Sequence, residues 1–275
     1  MNPAHPFLQA AIDAARGAAG IIRSAAADPA SLQVRAKQPK DFVTQVDLAS
    51  QQAIVTALLG AFPGHAVRSE ESLQGFGAPN ASHVWIVDPL DGTTNFIHGY
   101  PVYAVSIALA IEGRIEHGVV IDVPRGDLYC ASRGAGAFCN GRRLQVSNRG
   151  LGDAVVATSC PPHAGPGFEI SMQMLGAVMA RVRAIRRSGS AALDLAWVAA
   201  GHCDAQFDLG LNAWDVAAGS LLVAEAGGEV TGFHGEADCL ERRECIAAHP
   251  ALRAALGAIL APFAPPRDPS NRHAR

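Results

Sequence analysis

Two aspartates, Asp88 and Asp91, stand three residues apart in the run WIVDPLDGTTNF (85–96), behind a strand-like apolar stretch and directly before Gly92, Thr93 and Thr94. Close carboxylates repel, so the pair needs something to offset that cost. Other acids occupy comparable settings: Asp47 before a helix, Glu70 and Glu71 in SEES (69–72), and Asp215 after Trp214 at a helix start. Hard oxygen ligands gathered from separate segments suit Mg²⁺, and a divalent ion neutralises crowded carboxylates. Gly92 permits close backbone approach. Thr93, Thr94 and Asn95 read as the start of a helix, whose free amides bind anions such as phosphate. Carboxylates for a metal beside an amide cradle imply metal-assisted phosphoryl hydrolysis. Alone, Asp-Pro-Leu-Asp-Gly reads as a surface turn; the other acids favour the metal reading.

The elements that must position these residues follow from periodicity. Residues 7–26 carry apolar side chains at helical spacing, and 47–59 read as a second helix ended by Gly60 and Pro63. VWIVD is a short buried strand, AVSIALAI and IEHGVVIDV form a hairpin, and 127–146 hold two more strands with tight Gly and Asn-Gly turns. Glu70 and Glu71 read as neighbours on an extended segment, pointing to opposite sides, so that one is a ligand and the other is not. Near residue 147 the texture changes to alternating strand and helix: a strand at 155–159, helices at 168–182 and 192–201, a strand at 204–210 and a helix from 214. The expected architecture is an α+β or α/β layered sandwich in two joined halves. Residues 1–146 form an N-terminal α+β half with most of the acids, 147–262 a C-terminal α/β half, and 263–275 a disordered tail rich in Pro and charge.

Composition narrows the classes. The 275 residues are 49% hydrophobic, with a net charge of −3, a pI near 6.3 and a mean hydropathy of +0.15. That excludes the basic excess of a protein that wraps nucleic acid. The longest uncharged apolar stretch, 100–111, is too short to span a bilayer, and the N-terminus lacks the basic start of a signal peptide. Six dispersed cysteines without a CxxC pair read as free thiols of a cytoplasmic protein. RGAGAF (133–138) lacks the third glycine of a dinucleotide loop, no P-loop or HExxH is present, and Ser190 is not in GxSxG. His98 reads as a rim residue, Trp214 as core and Lys37 as a surface lysine.

DFVTQVD (41–47), SEES (69–72), WIVDPLDGTTNFIHGYP (85–101), RRSGSAALDLAWVAAGHCDAQF (186–207) and WDVAAGSLLVAEAGG (214–228) resemble, in order and spacing, the inositol monophosphatase family of Mg²⁺-dependent, lithium-sensitive phosphatases, most closely its bacterial branch. The resemblance implies a five-layer αβαβα sandwich of the inositol monophosphatase and fructose-1,6-bisphosphatase type, a homodimer, and two or three Mg²⁺. It assigns Glu70, Asp88 and the Leu90 carbonyl to one metal, and Asp88, Asp91 and Asp215 to a second. Thr93, held by Asp47 and aided by Glu70, would orient the nucleophilic water. The Gly92 and Thr93 amides would hold phosphate. Gly189, Ser190 and Ala191 match a polyol-facing loop, and Asp208 stands where animal members carry a glutamate that binds inositol hydroxyls. Asp91 and Asp215 would also face substrate. The implied substrate is myo-inositol 1-phosphate or a related polyol phosphate. Fructose 1,6-bisphosphate, histidinol phosphate and 3′-phosphoadenosine 5′-phosphate remain alternatives. Some bacterial members are reported to bind the transcription machinery, so a regulatory protein partner is the reading from another class.

Overall fold

The computed structural model describes residues 5–29, 32–38, 41–159, 166–236 and 239–264. Cys160 and residues 265–275 of the expected tail lie outside the described residues. Helix α1 (Pro6–Ala26) begins with proline at its first position and buries Ala11, Ala14, Ala15, Ala18, Ala19 and Ile22. Those small side chains let it lie closely along α2 (Gln45–Ala61). Between them β1 (Val34–Gln38) and β2 (Asp41–Thr44) pair antiparallel.

The next eight strands build one sheet: β3 (Ala66–Ser69), β4 (Ser72–Gly77), β5 (His83–Asp91), β6 (Ala104–Ile111), β7 (Arg114–Asp122), β8 (Asp127–Ser132), β9 (Gly136–Cys139) and β10 (Arg142–Arg143). Their order is β10-β9-β8-β7-β6-β5-β3-β4, antiparallel except where β3 runs parallel to β5. The short helix α3 (Thr93–Ile97) follows β5. A second sheet, ordered β12-β11-β13-β15-β14, is built from β11 (Val155–Ala157), β12 (Ala184–Arg186), β13 (Ala205–Leu209), β14 (Glu229–Thr231) and β15 (Glu244–Ala248). The remaining helices are α4 (Pro166–Met179), α5 (Ala191–Ala199), α6 (Ala213–Glu225), α7 (Cys239–Arg242) and α8 (Pro250–Leu260).

Three buried cores glue these into five layers, αβαβα. Trp85, Val87, Ile107 and Val119 bury one face of the large sheet under α1 and α2. Ile86, Ala108 and Val120 on its other face meet Leu193 and Leu195 of α5 and Leu222 of α6. Phe207 and Ile246 of the second sheet meet Met174 of α4 and Leu252 and Leu256 of α8. Each fully buried leucine contributes about 2 kcal/mol. Helix α6 rests directly on the backbone of β7: a Cβ on Gly118 would lie 2.9 Å from Ala218 O. Predicted helix 168–182 ends at Met179, and predicted strand 155–159 ends at Ala157. Phe263 packs against the third core. Cys130, Cys139 and Cys203 are free thiols. Among the described residues no helix is long and apolar enough to cross a membrane.

Candidate active site

Residues three apart on a regular strand point to opposite faces. Asp88 and Asp91 escape that rule because β5 is irregular between them: Asp88 pairs with Ser106 and Asp91 with Ala104, three steps against two. Pro89 and Leu90 occupy the bulge. Ser50 of α2 pins it by donating to Pro89 O at 2.7 Å, and Leu90 N donates to Asp88 Oδ1 at 3.0 Å. Both aspartates thus reach one cavity of about 200 Å³. Glu70 joins them through the parallel pairing of β3, its amide donating to Val87 O at 3.2 Å. Glu70 and Glu71 lie in the turn between β3 and β4 rather than on an extended segment. Asp215 enters from the first turn of α6. Leu90, Gly92, Thr93 and Gly189 complete the wall, with Phe42 and Thr94 beside them.

Helix starts converge on this cavity, and carboxylates favour the partial positive charge of a helix N-terminus. Asp215 accepts from Asn212 N at 2.6 Å at the start of α6. Asp91 accepts from Ser190 Oγ at 2.6 Å and Ala192 N at 2.8 Å at the start of α5. Asp47, fully buried, closes a capping box on α2: Thr44 donates to its Oδ2 from the amide (2.9 Å) and the hydroxyl (2.6 Å). Its other oxygen accepts from Thr93 Oγ1 at 2.9 Å, and the same hydroxyl lies 3.1 Å from Leu90 O. Gly92 has φ +90°, and a Cβ there would lie 2.9 Å from Val102 O, so the chain needs glycine at the start of α3.

The electrostatics are those of an unneutralised acidic cluster. Burial, then the charges of Glu70, Asp91 and Asp215, push the Asp88 carboxyl well above its ordinary range. Desolvation in the cleft raises Asp91 to about 6, against its bonds from Ser190 and Ala192. Desolvation and then Asp91 push Asp215 well up. Among the described residues no three His, Cys, Asp or Glu side chains close into a group at cation-holding spacing. The donor set nonetheless fits a hard divalent ion: carboxylates and a carbonyl, whose mutual repulsion such an ion relieves.

The polyol-facing set fares differently. Gly189 lines the cavity, whereas Ser190 and Ala191 are 1% and 5% exposed and do not. Asp208 is 2% exposed and does not reach the cavity either. Its oxygens are taken by the Ser159 amide, by Thr158 Oγ1 at 3.4 Å and by Gln206 Nε2 at 2.6 Å. Burial lifts its carboxyl to about 7. A carboxylate on the inner face of β13, at the end of β11, finds amide and amide-side-chain donors before it finds the cleft. Ser50, Ser188 and Asp194 were not singled out from sequence, and Asn95 was read only as part of a helix start. A lone acid in the apolar helix ALDLAWVA was the available signal for Asp194.

His98 and Tyr100 are exposed, and Trp214 packs against the central core with Arg68 5.8 Å above its ring. The Lys37 side chain lies outside the described residues.

Comparison with known proteins places this geometry. The model of the inositol monophosphatase family matches residues 4–263. The chain is 44% identical over 266 residues to a Nus factor SuhB of Pseudomonas aeruginosa, covering 95% of this chain and 98% of that protein. It is 45% identical over 230 residues to an inositol-1-monophosphatase of Mesorhizobium japonicum, covering 82% and 85%. Among solved structures, the extragenic suppressor protein suhB from Bartonella henselae superposes with a TM-score of 0.89 at 41% identity, covering 93% of this chain and 98% of that one. The inositol monophosphatase from Anabaena gives 0.81 at 31%, covering 94% and 96%. The match spans nearly the whole chain in both sequence and fold, and the chain belongs to the inositol monophosphatase family.

Proposed function

We propose that the chain is a Mg²⁺-dependent phosphomonoesterase acting on myo-inositol 1-phosphate or a related polyol or sugar phosphate. The observation that carries this reading is the set of four mutually repelling acids around one cavity, beside a threonine hydroxyl bonded to a buried aspartate. Glu70, Asp88 and the Leu90 carbonyl would hold one ion, and Asp88, Asp91 and Asp215 a second. Bound there, Mg²⁺ supplies a low-pKa water and charge neutralisation of the leaving oxygen. The residues of the chain do the rest. Asp47 fixes the Thr93 hydroxyl, which with Glu70 orients the attacking water. The amides of Gly92 and Thr93 cradle the phosphate at the start of α3. Gly189 leaves space for the alcohol portion, and the retracted Asp208 contributes no contact to it.

The test is phosphate release from inositol 1-phosphate, fructose 1,6-bisphosphate, histidinol phosphate and 3′-phosphoadenosine 5′-phosphate, each with Mg²⁺ and with EDTA. Mg²⁺-dependent release that is strongest with inositol 1-phosphate is expected. Wild-type rates in Asp91→Asn or Thr93→Ala would sink the mechanism. The SuhB names of relatives at 41–44% identity support a second role, contact with the transcription machinery. A pull-down with RNA polymerase tests it: a partner retained by Asp88→Asn makes that role independent of turnover.

A further inference from the structure

The loop that brings Gly189 to the cavity comes from the second half of the chain, and side chains fix it from both ends. Asn95 Nδ2 donates to Ser188 O at 2.9 Å and to Val102 O at 2.7 Å, tying the loop to the strap before β6. Gly189 presses on the same amide: a Cβ there would lie 2.8 Å from Asn95 Nδ2. Ser188 Oγ donates to Asp194 Oδ1 at 2.7 Å. Two residues beyond Ser188, Ser190 caps α5, accepting from Leu193 N at 3.3 Å while donating to Asp91.

Asp194 does not serve as the cap of α5, because Ser190 does. It is fully buried within a run of apolar residues and feels the charge of Asp208 on β13. A carboxyl in that setting is costly unless it holds something. Its Oδ2 has no partner, and neither does Oε1 of Gln206, which β13 directs away from the Ala205–Phe207 face of the third core. Burial and the nearby charge of Asp208 push the Asp194 carboxyl well above its ordinary range.

Resting on the phosphatase reading above, we propose that Ser188 and Asp194 are positioning residues: their hydrogen bond locks loop 188–190 onto the first turn of α5 and thereby sets the position of Asp91. Without that bond the loop keeps the Asn95 contact and the Ser190 cap but loses its side-chain tie to Asp194, and Ser190, which holds Asp91, shifts with the loop. Asp91 accepts from Ser190 in that loop and from the Ala191 and Ala192 amides of the adjoining helix turn. Partners that orient a metal-holding carboxylate are typically worth about 10- to 100-fold in metal affinity.

The experiment uses the full chain as wild type, Ser188→Ala, Asp194→Asn and Asp194→Ala. Mn²⁺ binding is followed by the loss of its free-ion electron paramagnetic resonance signal. Alongside it, kcat and KM for inositol 1-phosphate and the melting temperature are measured. Ser188→Ala and Asp194→Ala are expected to weaken Mn²⁺ binding about tenfold and to lower kcat with little change in KM. Asp194→Asn keeps an acceptor for Ser188 and is expected to recover most of the affinity. Ser188→Ala, a loss of one hydroxyl on a half-buried loop, remains informative if Asp194→Ala fails to fold. Wild-type Mn²⁺ affinity in Ser188→Ala, with or without a lower melting temperature, overturns the positioning role. A wild type that hydrolyses none of the esters, with Mn²⁺ binding still weakened in Ser188→Ala, overturns the reaction and leaves the positioning role standing.

Discussion

At the start of β5 four histidines gather around Phe7; at its end four acids gather around a cavity. The histidine end is built from the head of α1, the loop after α2, and strands β5 and β7. His5 lies 4.6 Å from His117 and His65 4.6 Å from His83, ring centre to ring centre, with Phe7 4.9 Å from His5 and 5.3 Å from His65. Burial opposes charge on two of them. Burial, then His5, lowers His117 to about 4, and its Nδ1 shares a hydrogen bond with Ser132 Oγ at 2.7 Å. Burial and then His83 lower His65. The acidic end is arranged the opposite way. Amides at the starts of α5 and α6 and the Thr44 cap aim donors at Asp91, Asp215 and Asp47, favouring their ionised forms although burial and repulsion oppose charge. Gathered titratable groups alone do not mark a site. Like charges that the fold holds together, with donors supporting the charge, do.

The sharpest way to break this comparison is Asp88→Asn. The amide oxygen still accepts from Leu90 N, but the shared charge is gone. Phosphate release is expected to fall by about a hundredfold or more, while the melting temperature without metal rises because a repelled, buried charge has been removed. An undiminished rate, or a lower melting temperature, would show that the acids are ordinary structural groups.

His117 should respond to pH instead. Its folded pKa lies below the unfolded value near 6.5, so its contribution is whole above pH 6.5 and is lost as pH falls toward 4, by up to about 3 kcal/mol. Urea unfolding at pH 7 and pH 4.5 should show a loss in the wild type that His117→Gln reduces. Equal losses in the two proteins would remove the histidine end from the comparison.

Added Mg²⁺ should stabilise the chain by about 2.7 kcal/mol at a hundred times its dissociation constant. Asp88→Asn should largely lose that gain in a calorimetric scan, whereas His117→Gln keeps it. Equal gains in all three proteins would place the ion elsewhere. The smallest effect is expected from His5→Ala, which removes the acceptor for Phe7 N at the head of α1. It should cost about 0.5 kcal/mol and leave phosphate release unchanged; a loss of activity would mean that the two ends of β5 are coupled.

Much of the molecule was legible in the chain because its signals are local. Helix 7–26 and the hairpin of β6 and β7 follow from periodicity, and the structure differs from them by a residue or so at their ends. The strands β1 to β4 gave no such signal. VRAKQ lacks apolar alternation, with Val34, Arg35 and Ala36 exposed, and Gly75 and Gly77, both at positive φ, interrupt the alternation of β4. Strand structure at 66–77 depends on β3 pairing with β5 and β4 pairing with β3, a tertiary fact. The acids that line the cavity were legible because crowding and flanking glycines are written in sequence. Asp208 was placed by matching motif positions, and no motif says whether a carboxylate is already taken by a neighbouring strand end. Asn95 and Ser188 act through contacts 93 residues apart, beyond any local pattern.

The parallel register of β3 on β5, Ser69 opposite Val87, has a consequence for which insertions the gene tolerates. Glu70 reaches Asp88 by strand pairing, not by the length of chain between them. Extra residues in the exposed bend at 78–82 would leave the two acids side by side. A single residue inserted between Val67 and Glu70 would instead shift the turn that carries the glutamate by one position along β5, carry the carboxylate away from Asp88, and disarm the cavity without touching any of its other walls.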